Sequence, residues 1–428
     1  MPEATYFPQV RVVDRGSPHD GETVDLLIEE GRIRVNPANV PDDVSTVRLE
    51  GLHVSPGWVD IGAALHEPGH EEKETVDSLL AAAQAGGYTH VVAFPETNPT
   101  VDDAIALRGV LGLVDPRHGV KLSLIGALSA GREGQQLAAA AELAEAGVQL
   151  IGDGLRAVED PKLLQLALTY AQPFDLTVVT QPSERRLEGA GQMHEGEVST
   201  ALGLPGLPAT AEEIGVARDL SLLDYRGGRL HFHALSLSSS VRSAASAKTQ
   251  GAHLTYGVAA LNLLATDEAL RDYDATMKVL PPLRTGADRD ALREAVTSGA
   301  ADAIVSNHRP HDTESSRVEF PYAAFGAATL ELTFAIAATA VGAVVAADYL
   351  GRRNRELAGV PAATIADGAR AELSFFLPSK EVEVGSEPTR TAGVNVPLHG
   401  ERLSGAPIAT FVDAQWRPTP HFTSFVNA

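Results

Sequence analysis

The sequence predicts an α/β protein, a (β/α)8 barrel of the TIM type with a small β-sandwich built from both chain ends. From residue 57 onward, near-continuous apolar runs alternate with Ala-rich segments of helical period, the signature of a parallel sheet covered on both faces. Eight such runs can be counted, enough to close a barrel, and strand texture without helices flanks them on either side. The expected organisation is a composite sandwich of residues 1–55 and 360–428 around a barrel of residues 56–359.

The N-terminal strands are expected in VRVVD, VDLLIEEGRIRV and VRLEGLHV, separated by Gly, Pro and Asp turns. The eight barrel strands are expected in WVDIG, HVVAF, LSLIG, VQLIG, LTVVT, LHFHA, HLTYG and AIVSN. Between them the helical pattern covers 102–113, 134–146, 161–171, 209–223, 239–250 and 289–298, after a first helix signalled by Thr75 and closed by Gly86 and Gly87. A last helix spans 331–350, strands return in RAELSFFLP, KEVEVG and APIATFVD, and a Pro-rich tail follows. Strand edges at both ends want partners, and chain ends often lie close together, so the flanking strands are expected in one sandwich.

Composition bounds the function. The 428 residues are 44% apolar and 21% charged, which excludes a disordered chain. The longest apolar stretch, residues 332–345, is shorter than the ~20 residues a bilayer needs and reads as a buried barrel helix. A net charge of −22 argues against a nucleic-acid or anionic-membrane partner. The absence of cysteine excludes disulfides, thiolate metal sites and Cys nucleophiles. The first residues carry no basic and apolar leader pattern, so a cytoplasmic protein is expected.

Barrel chemistry sits at the C-terminal strand ends. Here those ends read Gly62-Ala-Ala-Leu-His66, Phe94-Pro-Glu96, Gly152-Asp153-Gly154, Thr180-Gln181-Pro182, His231-Phe-His233-Ala234, Tyr256-Gly257 and Ser306-Asn307-His308-Arg309-Pro310-His311.

With their surroundings these strings resemble dihydroorotase, the amidohydrolase-superfamily enzyme that interconverts carbamoyl-aspartate and dihydroorotate in pyrimidine synthesis. PGWVDIGAALHEPGHEEKET is similar to the family's PGxxDxHxHxREPGxExKET, VVAFPETNP to AMPNTxP, KVLPPLR to KxNPPLR, SNHRPH to TDHAPH, and FGAATLELTF to FGxxGLETxF. The resemblance covers nearly the whole chain and implies an amidohydrolase-type barrel with one or two divalent metals, usually zinc, that generate a hydroxide nucleophile. The positions that would hold metal are degenerate: Gly62 and Ala64 stand for the H-x-H pair, Gln181 for the fifth-strand His, Ala234 for the second His of the sixth strand, and Asn307 for the acid/base Asp. An amide cannot take a proton from bound water. In the fourth-strand signature Asp153 and Gly154 remain, with Gly152 in place of the first Asp, and the substrate-gripping Arg and two Asn become His66, Glu96 and Leu280. Framework residues persist: Pro68-Gly69, Pro281-Pro282-Leu283-Arg284, His308, Pro310, His311 and Phe325-Gly326.

The resulting expectation is a pseudoenzyme of pyrimidine biosynthesis with no cofactor, a homo-oligomeric scaffold or regulatory subunit, for which the resemblance implies aspartate transcarbamoylase as a partner. The enzyme alternative is a cyclic-amide hydrolase, dihydroorotase or a relative, with zinc held by a rearranged set of His231, His233, Asp153 and His308. A third is a small-molecule sensor using the barrel-mouth cavity, where Glu96, the histidines and Arg309 favour a cationic or zwitterionic ligand. Outside these sets, His66, His70, His90 and His194 read as solvated loop histidines, Asp60 and Arg284 as framework partners, Lys73 as a solvated helix-start residue, and Glu71, Glu72 and Glu74 as carboxylates favoured by the helix dipole.

Overall fold

All eight apolar runs form strands, in a computed structural model that describes residues 4–422. The extremes of the expected sandwich segments, 1–3 and 423–428, lie outside the described residues. The barrel strands are β1 (Trp58–Ala64), β2 (Tyr88–Phe94), β3 (Lys121–Leu124), β4 (Leu150–Gly152), β5 (Thr177–Thr180), β6 (Arg229–Phe232), β7 (Leu254–Ala259) and β8 (Ala303–Val305). Neighbours in sequence pair in parallel, with a single bridge from Gly126 to Ile151 joining the third and fourth. The ring closes where Ala64 N donates to His308 O at 2.8 Å and the Asp60 carboxylate accepts from Ser306 N at 2.8 Å and Ser306 Oγ at 2.7 Å. Inside, Val59, Ile61, Val92, Phe94, Ile125, Leu150, Val179 and Val305 form one apolar cluster.

Several of the covering helices begin where the capping chemistry places them. Thr75 and Ser78 form a capping box on Val76–Ala85, and Asp160 caps Pro161–Ala171 with Pro161 in the first turn. Two expected helices differ. The segment 134–146 is helical only over Ala140–Glu145, because its first residues form a hairpin-like loop in which Ser129 bridges Leu137 and Ala130 N donates to Gln136 O. The apolar stretch at 332–345 divides at Gly342 into Thr333–Val341 and Ala343–Asp348. Among the described residues, no helix is long and apolar enough to cross a membrane.

Strands from both ends of the chain share one sheet, in the order 415–418, 402–412, 373–383, 53–56, 4–12, 23–29, 32–35, with Ser45–Thr46 paired to Ala4–Val12. His53–Pro56 is the joint, parallel to Ala4–Val12 and antiparallel to Leu373–Glu383. The sheet has its own core, where Phe7 stacks on Phe375 at 4.6 Å and tilts against Trp416 at 5.1 Å. Two details depart from expectation. Of VRLEGLHV only its end belongs to a strand, because the chain turns at Gly51 (φ 74°). The Pro-rich tail contributes an edge strand, Gln415–Pro418, in which Pro418 ends the strand where no donor is needed.

Sheet and barrel are joined by buried polar contacts. Trp58 N donates to Ser374 Oγ at 2.9 Å, and the Trp58 ring stacks on Phe334 at 4.3 Å. Arg355 donates twice to Gly57 O, at 3.1 and 3.0 Å, and pairs with Glu372, whose other oxygen accepts from Lys121 at 2.8 Å. Arg355 is buried, whereas Lys121 is two-fifths exposed. Arg355→Met should therefore destabilise the protein by about 3–5 kcal/mol and Lys121→Gln by about 1 kcal/mol or less; equal losses in denaturant titrations would refute this division.

Candidate functional site

The C-terminal ends of the barrel strands surround a cavity of about 400 Å³ whose walls include His66, Glu96, Gln181, Leu280, Arg284, Arg309 and His311. At its floor the first strand carries no donor. Gly62 has φ 87°, and a Cβ there would overlap the Cε1 of His233 and the ring of Phe94. His233 thus fills the space that a side chain at position 62 would take. Its ring is fully buried edge-on to Phe94 at 4.7 Å and beside the Asn307 side chain, and burial, reinforced by Arg309, holds its pKa down at about 3.

The neighbouring positions are equally committed. Gln181 donates to Ala234 O at 2.8 Å, Asn307 donates to Leu280 O at 2.8 Å, and each has its amide oxygen buried without a partner. His231 shares a 2.9 Å hydrogen bond with Thr255, and burial keeps it neutral with a pKa near 3. Asp153 accepts from Leu128 N at 2.9 Å, Ser129 N at 3.0 Å and Ser129 Oγ at 2.5 Å, so its lone pairs face the loop after β3. His308 Nδ1 accepts from the amides of Thr329 and Leu330 at 3.1 and 3.2 Å, which places its proton on Nε2, donated to Glu74 at 3.1 Å. The rearranged set of His231, His233, Asp153 and His308 is therefore not brought together. Among the described residues, no group of three or more His, Cys, Asp or Glu side chains is placed to hold a metal ion.

Charge is concentrated around Glu96. Its carboxylate receives Arg309 at both oxygens, at 2.7 and 2.6 Å, and Arg132 at 2.7 Å. Burial alone would raise its pKa, but the two guanidinium groups hold it down at about 2. Gly154 (φ 70°) makes room for the cluster, since a Cβ there would overlap the Glu96 carboxylate and crowd Arg132. With Glu96 neutralised twice over, the cavity does not have the character expected for a cationic ligand. Arg284 is spent on Ser236 at 3.0 Å, Leu207 O at 3.0 Å and Glu212 at 3.5 Å.

Several surface readings are corrected. His66, His90 and His194 are buried, at 6%, 7% and 7% exposure, because His66 faces the cavity, His90 lies within β2 against Ser123 and His194 contacts Arg284. His70 alone of the four is exposed, near Glu72. Lys73 is half-buried and lines the cavity. Glu71 bonds Gly69 N at 2.9 Å, but Glu74 is fully buried and accepts from His308, Ser78, Thr391 and Ala392 N, tying the mouth to the segment before the final strands. The sequence reading missed Arg132 and Arg156; both follow strand ends, in SAGREG and GDGLRA, and that position was their only signal.

A family model described as Dihydro-orotase-like matches residues 51–240. A protein named dihydroorotase from Thermoanaerobacter sp. (strain X514) is 34% identical over 94% of this chain and 96% of its own length. The chain belongs to the dihydroorotase-like family. A dihydroorotase-like protein from Pseudomonas putida is 36% identical over 94% of this chain and 96% of its own. Among solved structures, the L-hydantoinase (dihydropyrimidinase) of Arthrobacter aurescens superposes with a TM-score of 0.81 at 18% identity, covering 97% of this chain and 96% of that one, which is a likeness of fold.

For the zinc that the family resemblance implies, the residues of this dihydroorotase-like chain do not fit. Gly62, Ala64 and Ala234 bring no side-chain donor, Gln181 and Asn307 bring amides, and the nearest imidazole occupies the floor.

The buried neutral imidazoles make stability depend on pH. His66, His231 and His233 are held at about 3 and His90 and His194 at about 4, below the unfolded value near 6.5, chiefly by burial. As pH falls below that value the unfolded chain takes up protons the folded chain refuses, so stability is lost, by roughly 1.4 kcal/mol per pH unit for each histidine. Asp219, raised by burial to about 6, opposes this with one proton of its own. Tm should fall steadily from pH 7 to pH 5, and His233→Leu should flatten that fall; a Tm independent of pH in this range would refute the assignment.

Proposed function

We propose that this dihydroorotase-like chain is a non-catalytic member of its family, a scaffold or regulatory subunit of pyrimidine biosynthesis whose partner is aspartate transcarbamoylase. The observation that supports this most is the floor of the barrel mouth, where Gly62 leaves a space and the His233 ring fills it. Hydrolysis of a cyclic amide needs an activated water and a group to take its proton. Asn307 has no basic lone pair, and its amide nitrogen is already committed to Leu280 O. Glu96, a carboxylate in the cavity wall, is pinned by two arginines and is too weak a base at about 2. The barrel is nevertheless kept whole, with Asp60, Asp153, His308 and Arg284 all spent on internal hydrogen bonds. A retained scaffold with its acid/base groups replaced is what a protein used through its surface requires.

Metal content and dihydroorotase turnover, measured on one sample purified after growth with zinc, should show neither stoichiometric metal nor conversion. Asn307→Asp alone should not restore turnover, because the donors at positions 62, 64 and 234 remain absent. One or two metal ions per chain together with turnover would overturn the reading. For the partner, the chain should copurify with aspartate transcarbamoylase from native extract, and a fully active, stably assembled transcarbamoylase in a strain lacking this chain would exclude the scaffold role.

A further inference from the structure

We propose that a groove at the end of the barrel opposite its mouth binds a small neutral aromatic alcohol, a phenol in the simplest case, whose ring fills the aliphatic part of the groove and whose hydroxyl bonds Ser123 Oγ. The groove shares no lining residue with the mouth cavity, so the site stands whether or not the mouth is catalytic.

The groove has a volume of about 160 Å³ and lies where the chain enters β2, β3 and β4, between the helix Ala104–Leu111 and residues 358–361. Its walls are chiefly aliphatic, with Val92, Leu107, Leu111, Val148 and Val360 among them. Cavities of about 150 Å³ with aliphatic walls stay dry and take benzene-sized molecules, so the size selects a single ring. Leu111 lines the groove while remaining 36% exposed, which puts it on the open side. No Asp, Glu, Lys or Arg among the described residues lines the groove. The charged groups whose field reaches His90 are Arg355, Glu372 and Lys121; both cations pair with Glu372, and Lys121 is two-fifths exposed, so solvent screens the positive charge that remains. An ion entering the groove would lose hydration without gaining a counter-charge, which restricts the ligand to neutral molecules.

The polar point in this aliphatic setting is the pair formed by His90 and Ser123, whose Nε2 and Oγ are 2.8 Å apart. His90 is 7% exposed, and burial, reinforced by Arg355, holds its pKa down at about 4, so the ring is neutral. Its Nδ1 is buried without a partner, an uncommon state for a polar atom in a native interior. Nothing on Nδ1 therefore fixes which ring nitrogen carries the proton, in contrast to His308, where two backbone amides do. Ser123 can accept from Nε2 or donate to it. Its hydroxyl is half-buried and has no other side-chain partner among the described residues, so one further hydrogen bond is open to it, as donor in the first case and as acceptor in the second. A ligand hydroxyl is itself donor and acceptor and matches both tautomers, whereas an ether or a carbonyl matches only one.

Isothermal titration of the full chain with phenol, fluorobenzene, benzoate and benzylamine compares one ring bearing a hydroxyl, no hydrogen-bonding group, an anion and a cation. Saturable binding of one phenol per chain is expected, with fluorobenzene weaker and no saturation by either ion. Ser123→Ala should weaken phenol by about fivefold to tenfold and leave fluorobenzene unchanged. Leu111→Trp fills the groove from an exposed position, which spares the core, and should abolish phenol binding at an unchanged Tm. Absence of saturable phenol binding would overturn the proposal, as would benzoate or benzylamine binding as tightly as phenol. Equal affinity for phenol and fluorobenzene would overturn the role of Ser123, and phenol affinity unchanged in Leu111→Trp would place the ligand elsewhere and overturn the site.

Discussion

Closure of the barrel between its last and first strands is the constraint on which the remaining geometry depends. The ladder is shortest at this seam, and the fully buried Asp60 carboxylate supplies what the backbone cannot, accepting from Ser306 N and Oγ across it. Burial raises the pKa of Asp60, while the two hydrogen bonds from Ser306 oppose that rise. Once the seam is shut, the strand ends lie at fixed positions around the mouth. Residues 62, 96, 153, 181, 233 and 307 then lie at or next to those strand ends whatever their chemistry.

What occupies those positions follows from packing. Close-packed interiors tolerate few voids, so removing bulk from Gly62 and Ala64 invites a neighbour inward, and His233 is the ring that fits. Asn307 illustrates a different economy. It is near-isosteric with Asp, so the fold keeps its left-handed backbone (φ 52°), while its amide nitrogen donates to Leu280 O, a bond no carboxylate could make, and the basic oxygen is gone. The floor is thus filled by a neutral ring, and the amide at position 307 has no basic lone pair.

Around this floor the electrostatics are strong. A carboxylate buried beside two guanidinium groups stays ionised because Coulombic attraction exceeds the desolvation penalty at short range. Glu96 orients Arg132 and Arg309, Arg132 in turn grips the carbonyl of Asp153, and Asp153 caps the loop that carries Arg132. The loops at the mouth are held together by this closed circuit.

The sequence by itself determined the architecture, because periodicity and apolar runs are local properties: all eight strand segments and the joining of both chain ends were legible in it. It also determined which donors are missing, since Gly62, Ala64 and Ala234 have no side-chain donor in any conformation. Only the tertiary structure decided what the remaining polar groups do. Histidines at 66, 90 and 194 look alike in a string, yet burial, a strand face and an arginine give each a different environment. Glu74 reads as a helix-start carboxylate but is buried beneath Thr391, which lies more than 300 residues away in the chain. Whether Glu96 repels anions or serves to position two cations depends on where Arg132 and Arg309 point. That orientation is set by long-range contacts, which no local pattern encodes.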